Sequence, residues 1–316
     1  MQLTIGSRGS KLALWQAHWV GDQLAAAGYE IEVRIIKTTG DKLQAVAPGE
    51  PLPASIAQTV AQAGNKGLFI KEIEEALLAQ EIDVAVHSLK DLPTEQPAGL
   101  ALGAVPQRED ARDVFIARNG HPLMNLPPGA RVATSSLRRQ TQLRALRPDL
   151  VYLAMRGNLD TRLRKLDHGD CEALVLAAAG VHRLGLSERI TSYLGLDQMC
   201  PAVGQGALGI EIRADDPRAR EAVARLDHLG THQAVRSERA VLRCLGGGCQ
   251  VPIAAHAALE DGDLRLQGLV ASLDGTQVIR AQAKGPVSDP EALGATVAED
   301  LLRQGAREML DAIGKI

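Results

Sequence analysis

The chain has 316 residues, 45% of them apolar and 23% charged, with a formal net charge of −3. That length suggests two or three domains of about 100–150 residues, with enough apolar content to bury real cores. A globally basic nucleic-acid binder is disfavoured, and seven aromatic residues are too few for a base-stacking platform.

Short apolar strands alternate with amphipathic helices along the chain, which argues for α/β layers. Leu3–Ile5 reads as the first strand. The helix after it carries Trp15 and Trp19 one turn apart, then Val20, Leu24 and Ala27 on a neighbouring stripe. Ser10 suits its N-cap and Gly28 its C-terminal stop. Strands follow over 31–36 and 82–86, with a helix over about 67–79 between them. The segment 41–66 holds Pro48, Gly49, Pro51, Pro53 and Gly64 and few large apolar residues, so it reads as a long loop of the lid type. QREDAR, between Pro106 and Asp113, has no apolar period and predicts a hinge.

A second α/β run follows, with strands over 131–134, 150–155 and 173–178 and helices over 137–146 and 158–166. PAVGQG then leads into a strand over 208–212. From about 229 the pattern changes to a helix over 233–245, a Gly-rich turn and strands near 253–259, 264–270 and 277–283. A last helix carries Leu293, Val297 and Leu301 at four-residue spacing. Two α/β domains and a smaller C-terminal α+β domain are expected, with no convincing internal repeat in the sequence.

The uncharged run 51–65 has fifteen residues, short of the roughly 20 apolar ones that a spanning helix needs. The start, MQLTIGSRGS, has no apolar signal-peptide region. Cysteines at 171, 200, 244 and 249 form no CxxC pair, so free thiols and a cytoplasmic location are expected, with no membrane partner. No metal is expected either. His228 and His232 lie four apart, but Gly230 is expected to break the helix between them. The GxGxxG spelling at 204–209 precedes a strand instead of joining a strand to a helix, which argues against dinucleotide binding.

The charge pattern carries the first chemical signal. Between Arg131 and Lys165 stand nine basic and two acidic residues, a local net charge of +7. Such a run is usually a solvated helix face. Here Ser135 and Ser136 open a helix at a strand end, and Arg138 and Arg139 sit in its first turn, where they oppose the helix dipole. An anion held on the exposed N–H groups and clamped by guanidiniums would resolve that conflict. Arg156-Gly157-Asn158 repeats the arrangement at the next strand end, with Asn158 as cap and Arg162 one turn on. A small ligand with carboxylates or phosphates fits the modest total charge better than nucleic acid does.

Three further segments carry chemistry. His87-Ser-Leu-Lys90-Asp91-Leu-Pro93 closes the strand IDVAV. Taken alone it could equally be a capped turn with a surface Lys–Asp pair or a cleft carboxylate, Asp91, beside a cation, Lys90. Arg8, at the first strand–helix turn beside Ser10, could add a third anion contact. Three glycines before Cys249 make a permissive turn, on which a thiol either has no role or acts as a nucleophile.

In chain order, SRGSKLALWQA, KTTGD, NKGLFIKEIE, DVAVHSLKDLPT, ATSSLRRQ, MRGNLDTRL, LAAAGVHRLGL, PAVGQGALGIE and GGGCQVPIAA resemble the hydroxymethylbilane synthase, or porphobilinogen deaminase, family. The resemblance runs from residue 7 to about 255. It implies two domains like type II periplasmic binding proteins with the active site between them, and a smaller third domain. Domain 1 would be discontinuous (1–106 and 207–226), domain 2 would be 107–206 and domain 3 would be 227–316. It implies a transferase of tetrapyrrole biosynthesis that deaminates four porphobilinogen molecules and joins them into linear hydroxymethylbilane. Growth would proceed on a dipyrromethane cofactor held by a thioether to Cys249. Each pyrrole carries an acetate and a propionate, so a growing chain needs fixed cations, and Arg keeps its charge and binds bidentately.

The same resemblance assigns catalysis to Asp91 and Lys90. Cofactor binding would fall to Cys249, Arg138, Arg139, Ser136, Lys90 and Asp91. Substrate contacts would come from Arg8, Ser10, Arg156, Arg162, Arg183, Lys66, Phe69 and Thr134. Asp91 would stabilise the cation left on the pyrrole when ammonia departs. The 41–66 loop is longer than is usual in the family, Asn65 stands where Gly is common, and Gln62 stands where some members have a second basic residue. The family suggests a monomer. A non-catalytic two-lobed binding module for a small polyanion is the alternative.

Overall fold

The computed structural model describes residues 1–45, 69–246 and 251–313. They fall into two compact units, Met1–Gln107 with Leu208–Leu229 and Arg108–Ala207 with Gly230–Ile316.

The first unit has a five-stranded sheet of β1 (Gln2–Ser7), β2 (Glu30–Ile35), β3 (Val84–Ser88), β4 (Leu100–Ala104) and β10 (Leu208–Arg213), in the order β2-β1-β3-β10-β4. β1 runs parallel to β2 and β3, while β10 runs antiparallel to β3 and β4. Helix α1 (Lys11–Ala26) covers one face, with Ala17, Val20 and Leu24 on Leu3, Ile5, Val84, Val86, Ile210 and Ile212. Helix α3 (Lys71–Leu78) puts Ile73 and Leu77 on the other face, against Ala85 and Leu100. With both faces covered, the central strand β3 is apolar over its first three residues, Val84, Ala85 and Val86. The buried side of α1 is narrower than the apolar stripe suggested, since Trp15 is 37% exposed.

The second unit repeats that pairing pattern in β5 (Asp113–Ala117), β6 (Arg131–Ala133), β7 (Val151–Leu153), β8 (Ala173–Ala177) and β9 (Ser192–Leu194), in the order β7-β6-β8-β5-β9. β6 is parallel to β7 and β8, and β5 is antiparallel to β8 and β9. In each sheet the fourth strand is the first element after the chain has crossed from the other unit. Helices α4 (Leu137–Leu146), α5 (Leu159–His168) and α6 (Ala178–Arg183) follow β6, β7 and β8. A third, antiparallel sheet orders β11 (Ile253–Glu260), β12 (Asp263–Ala271) and β13 (Val278–Pro286). It packs Leu264, Leu266 and Val270 against Val241 of α8 (Leu229–Cys244) and Leu293, Val297 and Leu301 of α9 (Pro290–Arg303). The fold is thus mixed α/β, with two sheet–helix layers and a smaller three-stranded antiparallel sheet.

Two expectations are corrected. The segment from Asp41 is not loop from its start, because α2 (Thr39–Ala45) occupies it. The remaining lid assignment, with Lys66, lies outside the described residues. Gly230 does not break a helix, since α8 begins at Leu229 and includes both Gly230 and His232. β4, β5, β9, α6, α7 (Pro217–Ala224) and α10 (Ala306–Ile313) were not anticipated. No helix among the described residues is long and apolar enough to cross a membrane.

Candidate active site

In the first unit the turn after β1 is built by local hydrogen bonds. Ser10 Oγ caps α1 by accepting from Ala13 N at 3.3 Å, and the buried Ser7 hydroxyl donates to Ala13 O at 3.1 Å. Arg8 leaves this turn and meets an internal partner. Its Nη2 and Nε donate to Asp41 Oδ1 at 2.6 and 3.1 Å, and its guanidinium lies 4.0 Å from the centre of the Phe69 ring. Burial alone would raise the Asp41 carboxyl, but Arg8 and the Thr38 hydroxyl outweigh it and hold the carboxyl below its usual range. Gly40 makes room for the stack, because a Cβ there would lie 2.2 Å from the Phe69 ring. The expected third anion contact is therefore an Arg already paired with Asp41.

β3 ends in a single 3-10 turn, Leu89–Asp91. Leu89 and Leu92 are 1% and 3% exposed and pin the turn from both sides. Between them Lys90 is half-buried and Asp91 is exposed. Gly209 of β10 is what admits Leu89, whose Cδ1 would be 2.7 Å from a Cβ at that position. Ser88 is tied to α1 by Gln16 at 2.9 Å. The geometry thus presents a carboxylate on a fixed turn, as electrostatic stabilisation of a developing cation requires.

Beneath that turn lies a titratable cluster that the motifs did not disclose. His87 Nε2 and Glu211 Oε2 are 3.1 Å apart and buried, and Glu211 Oε1 has no hydrogen-bond partner. Glu74 of α3 has its carboxyl pushed up to about 7, chiefly by burial and then by the Glu211 charge, with His87 opposing. Such a group stabilises the fold fully below pH 4.5, its ordinary value, and loses that contribution as the pH rises through about 7. Glu74 is only half-buried, so solvent screening limits the effect to about 1 kcal/mol. Glu74→Gln should therefore raise the melting temperature by about 2–4 °C at pH 8 and leave it unchanged at pH 5. Calorimetry at the two pH values checks this, and equal shifts at both would contradict it.

In the second unit the turn between β6 and α4 holds the Arg pair. Ser136 caps α4, its Oγ accepting from Arg139 N at 3.4 Å, and the buried Thr134 hydroxyl accepts from Ser136 N at 3.3 Å. Arg138 and Arg139 are each only 5% exposed, and the anion between them belongs to the chain. Asp113 Oδ2 accepts from Arg138 Nη1 at 2.8 Å, and Oδ1 accepts from Arg139 Nε and Nη2 at 3.0 and 2.8 Å and from Gln205 Nε2 at 2.9 Å. Burial raises the Asp113 carboxyl, yet the two guanidiniums overcome that and bring it down to about 2. Arg138 also donates to Cys200 O at 2.7 Å, while its Nε is buried without a partner. Two cations around one anion, with a buried N–H unmet beside a capped helix N-terminus, still form an acceptor for a carboxylate.

The remaining cations are less enclosed. Arg156 is exposed, and Arg162 Nε donates to Gly157 O at 2.8 Å. Asn158 occupies the N-cap of α5 but makes no side-chain cap bond, contrary to expectation. Arg183 is buried, donates to Gly206 O at 2.7 Å, and is lowered to about 10 by burial, with Glu109 opposing. Of the predicted site residues, Arg8, Ser10, Phe69, Lys90 and Asp91 belong to the first unit and Thr134, Ser136, Arg138, Arg139, Arg156, Arg162 and Arg183 to the second. Lys66 and Cys249 lie outside the described residues.

Comparison with known proteins bears on both units. The family model "Porphobilinogen deaminase, dipyromethane cofactor binding domain" matches residues 3–221, and "Porphobilinogen deaminase, C-terminal domain" matches 232–303. The chain is 51% identical over 314 residues to the porphobilinogen deaminase of Pelobacter propionicus, covering 99% of this chain and 97% of the relative. It is 52% identical over 311 residues to that of Desulforudis audaxviator, covering 98% and 97%. Among solved structures it is similar to the L-cystine solute receptor of Neisseria gonorrhoeae, at 11% identity and a TM-score of 0.40, covering 79% of this chain and 94% of that one. With family models spanning both units and relatives matched over nearly its whole length, the chain belongs to the porphobilinogen deaminase family.

Proposed function

We propose that the chain deaminates four porphobilinogen molecules and joins them into linear hydroxymethylbilane, on a dipyrromethane primer held through a thioether at Cys249. The observation that carries this reading is the buried Arg138 Nε without a partner, in a cluster whose other polar atoms are largely satisfied. An orphaned buried donor costs about 1–3 kcal/mol, which a bound carboxylate recovers. Arg138, Arg139, Ser136 and Thr134 hold the carboxylates of the primer, which supplies the pyrrole carbon on which the chain grows. Arg8, Ser10, Lys66, Arg156, Arg162 and Arg183 bind those of incoming rings, with Arg8 and Arg183 exchanging their present partners, and Phe69 contacts the substrate through its ring. The substrate's aminomethyl group, in its ammonium form, leaves as ammonia with the electrons of the C–N bond, and the exposed Asp91 carboxylate, beside Lys90, stabilises the cation left on the substrate.

The domain limits we propose are 1–106 with 207–226, 107–206 and 227–316. We take the protein to act as a cytoplasmic monomer with no nucleic-acid or membrane partner, so light scattering should give a single species near 33.6 kDa. Intact mass under denaturing conditions tests the chemistry. Wild type should carry an excess equal to two linked pyrrole units, before or after incubation with porphobilinogen, and Cys249→Ser should carry none. No adduct on wild type after that incubation would instead support a non-catalytic binder of small polyanions.

A further inference from the structure

Asp113 is the residue on which the Arg pair is built, and no motif pointed to it. It is fully buried at the first position of β5, directly after the chain enters the second unit. Both of its oxygens are used: Oδ2 faces Arg138, and Oδ1 takes donors from Arg139 and Gln205. Gln205 is itself fixed by donation from Nε2 to Ala111 O at 2.7 Å. The carboxylate is therefore held by a partner that is not a cation, and it sets the planes of two adjacent guanidiniums that would otherwise repel. Its position decides where the unmet Arg138 Nε points.

Resting on the function proposed above, we propose that Asp113 is a positioning residue, which orients Arg138 and Arg139 so that their remaining donors meet a carboxylate of the pyrrole primer. Two roles for a buried acid in a cationic site predict opposite outcomes. If Asp113 acts only through its charge, it weakens the site for anions, and removing that charge tightens binding. If it acts through geometry, removing it loosens both guanidiniums and binding falls although the site becomes more positive. Supporting groups of this kind carry about 10–100-fold in affinity or activity where they have been tested at other sites.

The test uses full-length wild type, Asp113→Asn, Asp113→Glu and Gln205→Met, each first checked by thermal unfolding. Asp113→Asn keeps the shape but turns one oxygen into a donor facing a guanidinium. Asp113→Glu keeps the charge and moves it. Gln205→Met keeps both Arg and the acid and removes the neutral clamp on Asp113, together with a long 3.5 Å contact that Arg138 Nη2 makes to Gln205 Oε1. Apoprotein is incubated with porphobilinogen, and the two-pyrrole mass is followed with time beside kcat and KM of the loaded fraction. Loading about tenfold slower in Asp113→Asn and Asp113→Glu, and several-fold slower in Gln205→Met, is the expected result. Loading as fast as wild type or faster, with unchanged or lower KM, overturns the inference. Should the Asp113 variants fail to fold, Gln205→Met decides alone, and unchanged loading in it counts against the proposal. A wild type that never gains mass refutes the proposed function itself, which separates the two failures.

Discussion

Asp91→Ala is expected to lower kcat by about a thousandfold while moving the melting temperature by no more than a degree or two. The turn that carries Asp91 is anchored by Leu89 and Leu92, both nearly fully buried, and by Leu92 N donating to Leu89 O at 3.1 Å. None of these anchors involves the Asp91 side chain, which is exposed. Truncation therefore removes a charge from the solvent side of a turn that stays in place. Asp91→Asn should fall nearly as far, because a neutral amide does not offset a developing cation. Asp91→Glu should fall by about a hundredfold, since it restores the charge at a displaced position. Steady-state kinetics with melting curves on all three decide the matter. An Asp91→Asn enzyme within threefold of wild type would remove the electrostatic role.

Much of this site was legible because its elements are local. Ser10 and Ser136 were read as caps from the residues around them, and both accept from the backbone N–H three residues on. The Leu137–Leu146 helix that carries Arg138, and the end of the strand before the Asp91 turn, follow from hydrophobic period and strand length. What was missed is long-range. Asp113 meets Arg138 and Arg139 across 25 and 26 residues, Arg8 meets Asp41 across 33, and His87 meets Glu211 across 124. Each of these pairs exists only once the fold brings distant segments of the chain together, so spacing along the chain holds no trace of it. An Asp at the head of the apolar run VFIA is the one available signal for Asp113, in a segment where the sequence reading expects no strand.

The two five-stranded sheets make the same point at larger scale. They share one strand order and one pattern of parallel and antiparallel pairs, yet the sequence shows no convincing repeat. Pairing order depends on which segments are apolar and how they are connected, not on shared residues, so the pattern can recur without sequence similarity. β9 escaped notice for a related reason, having only three residues and pairing with β5 alone.

Glu238→Ala is expected to be the most destabilising substitution in the second unit. Glu238 lies on α8 with its side chain fully buried, and its two oxygens join three segments. Oε1 accepts from Arg108 Nη1 at 2.7 Å and Ala257 N at 2.8 Å, while Oε2 accepts from Arg108 Nη2 at 3.1 Å and Gly204 N at 2.7 Å. Those partners are the chain where it enters the unit, the turn before it leaves again, and β11. Truncation leaves the Arg108 guanidinium, 11% exposed, without its counter-charge, and strands two backbone N–H groups. Removing one partner of a buried pair costs about 3–5 kcal/mol. At about 2–4 °C per kcal/mol for a unit of this size, the melting temperature should drop by about 10 °C. Glu238→Gln keeps one acceptor and should lose roughly half as much. Arg108→Met removes the charge from the other side and fills the same volume with an apolar chain, so pairing it with Glu238→Gln should cost less than the two single changes summed. Additive costs in that cycle would show that Arg108 and Glu238 hold the chain crossings independently rather than as one ion pair.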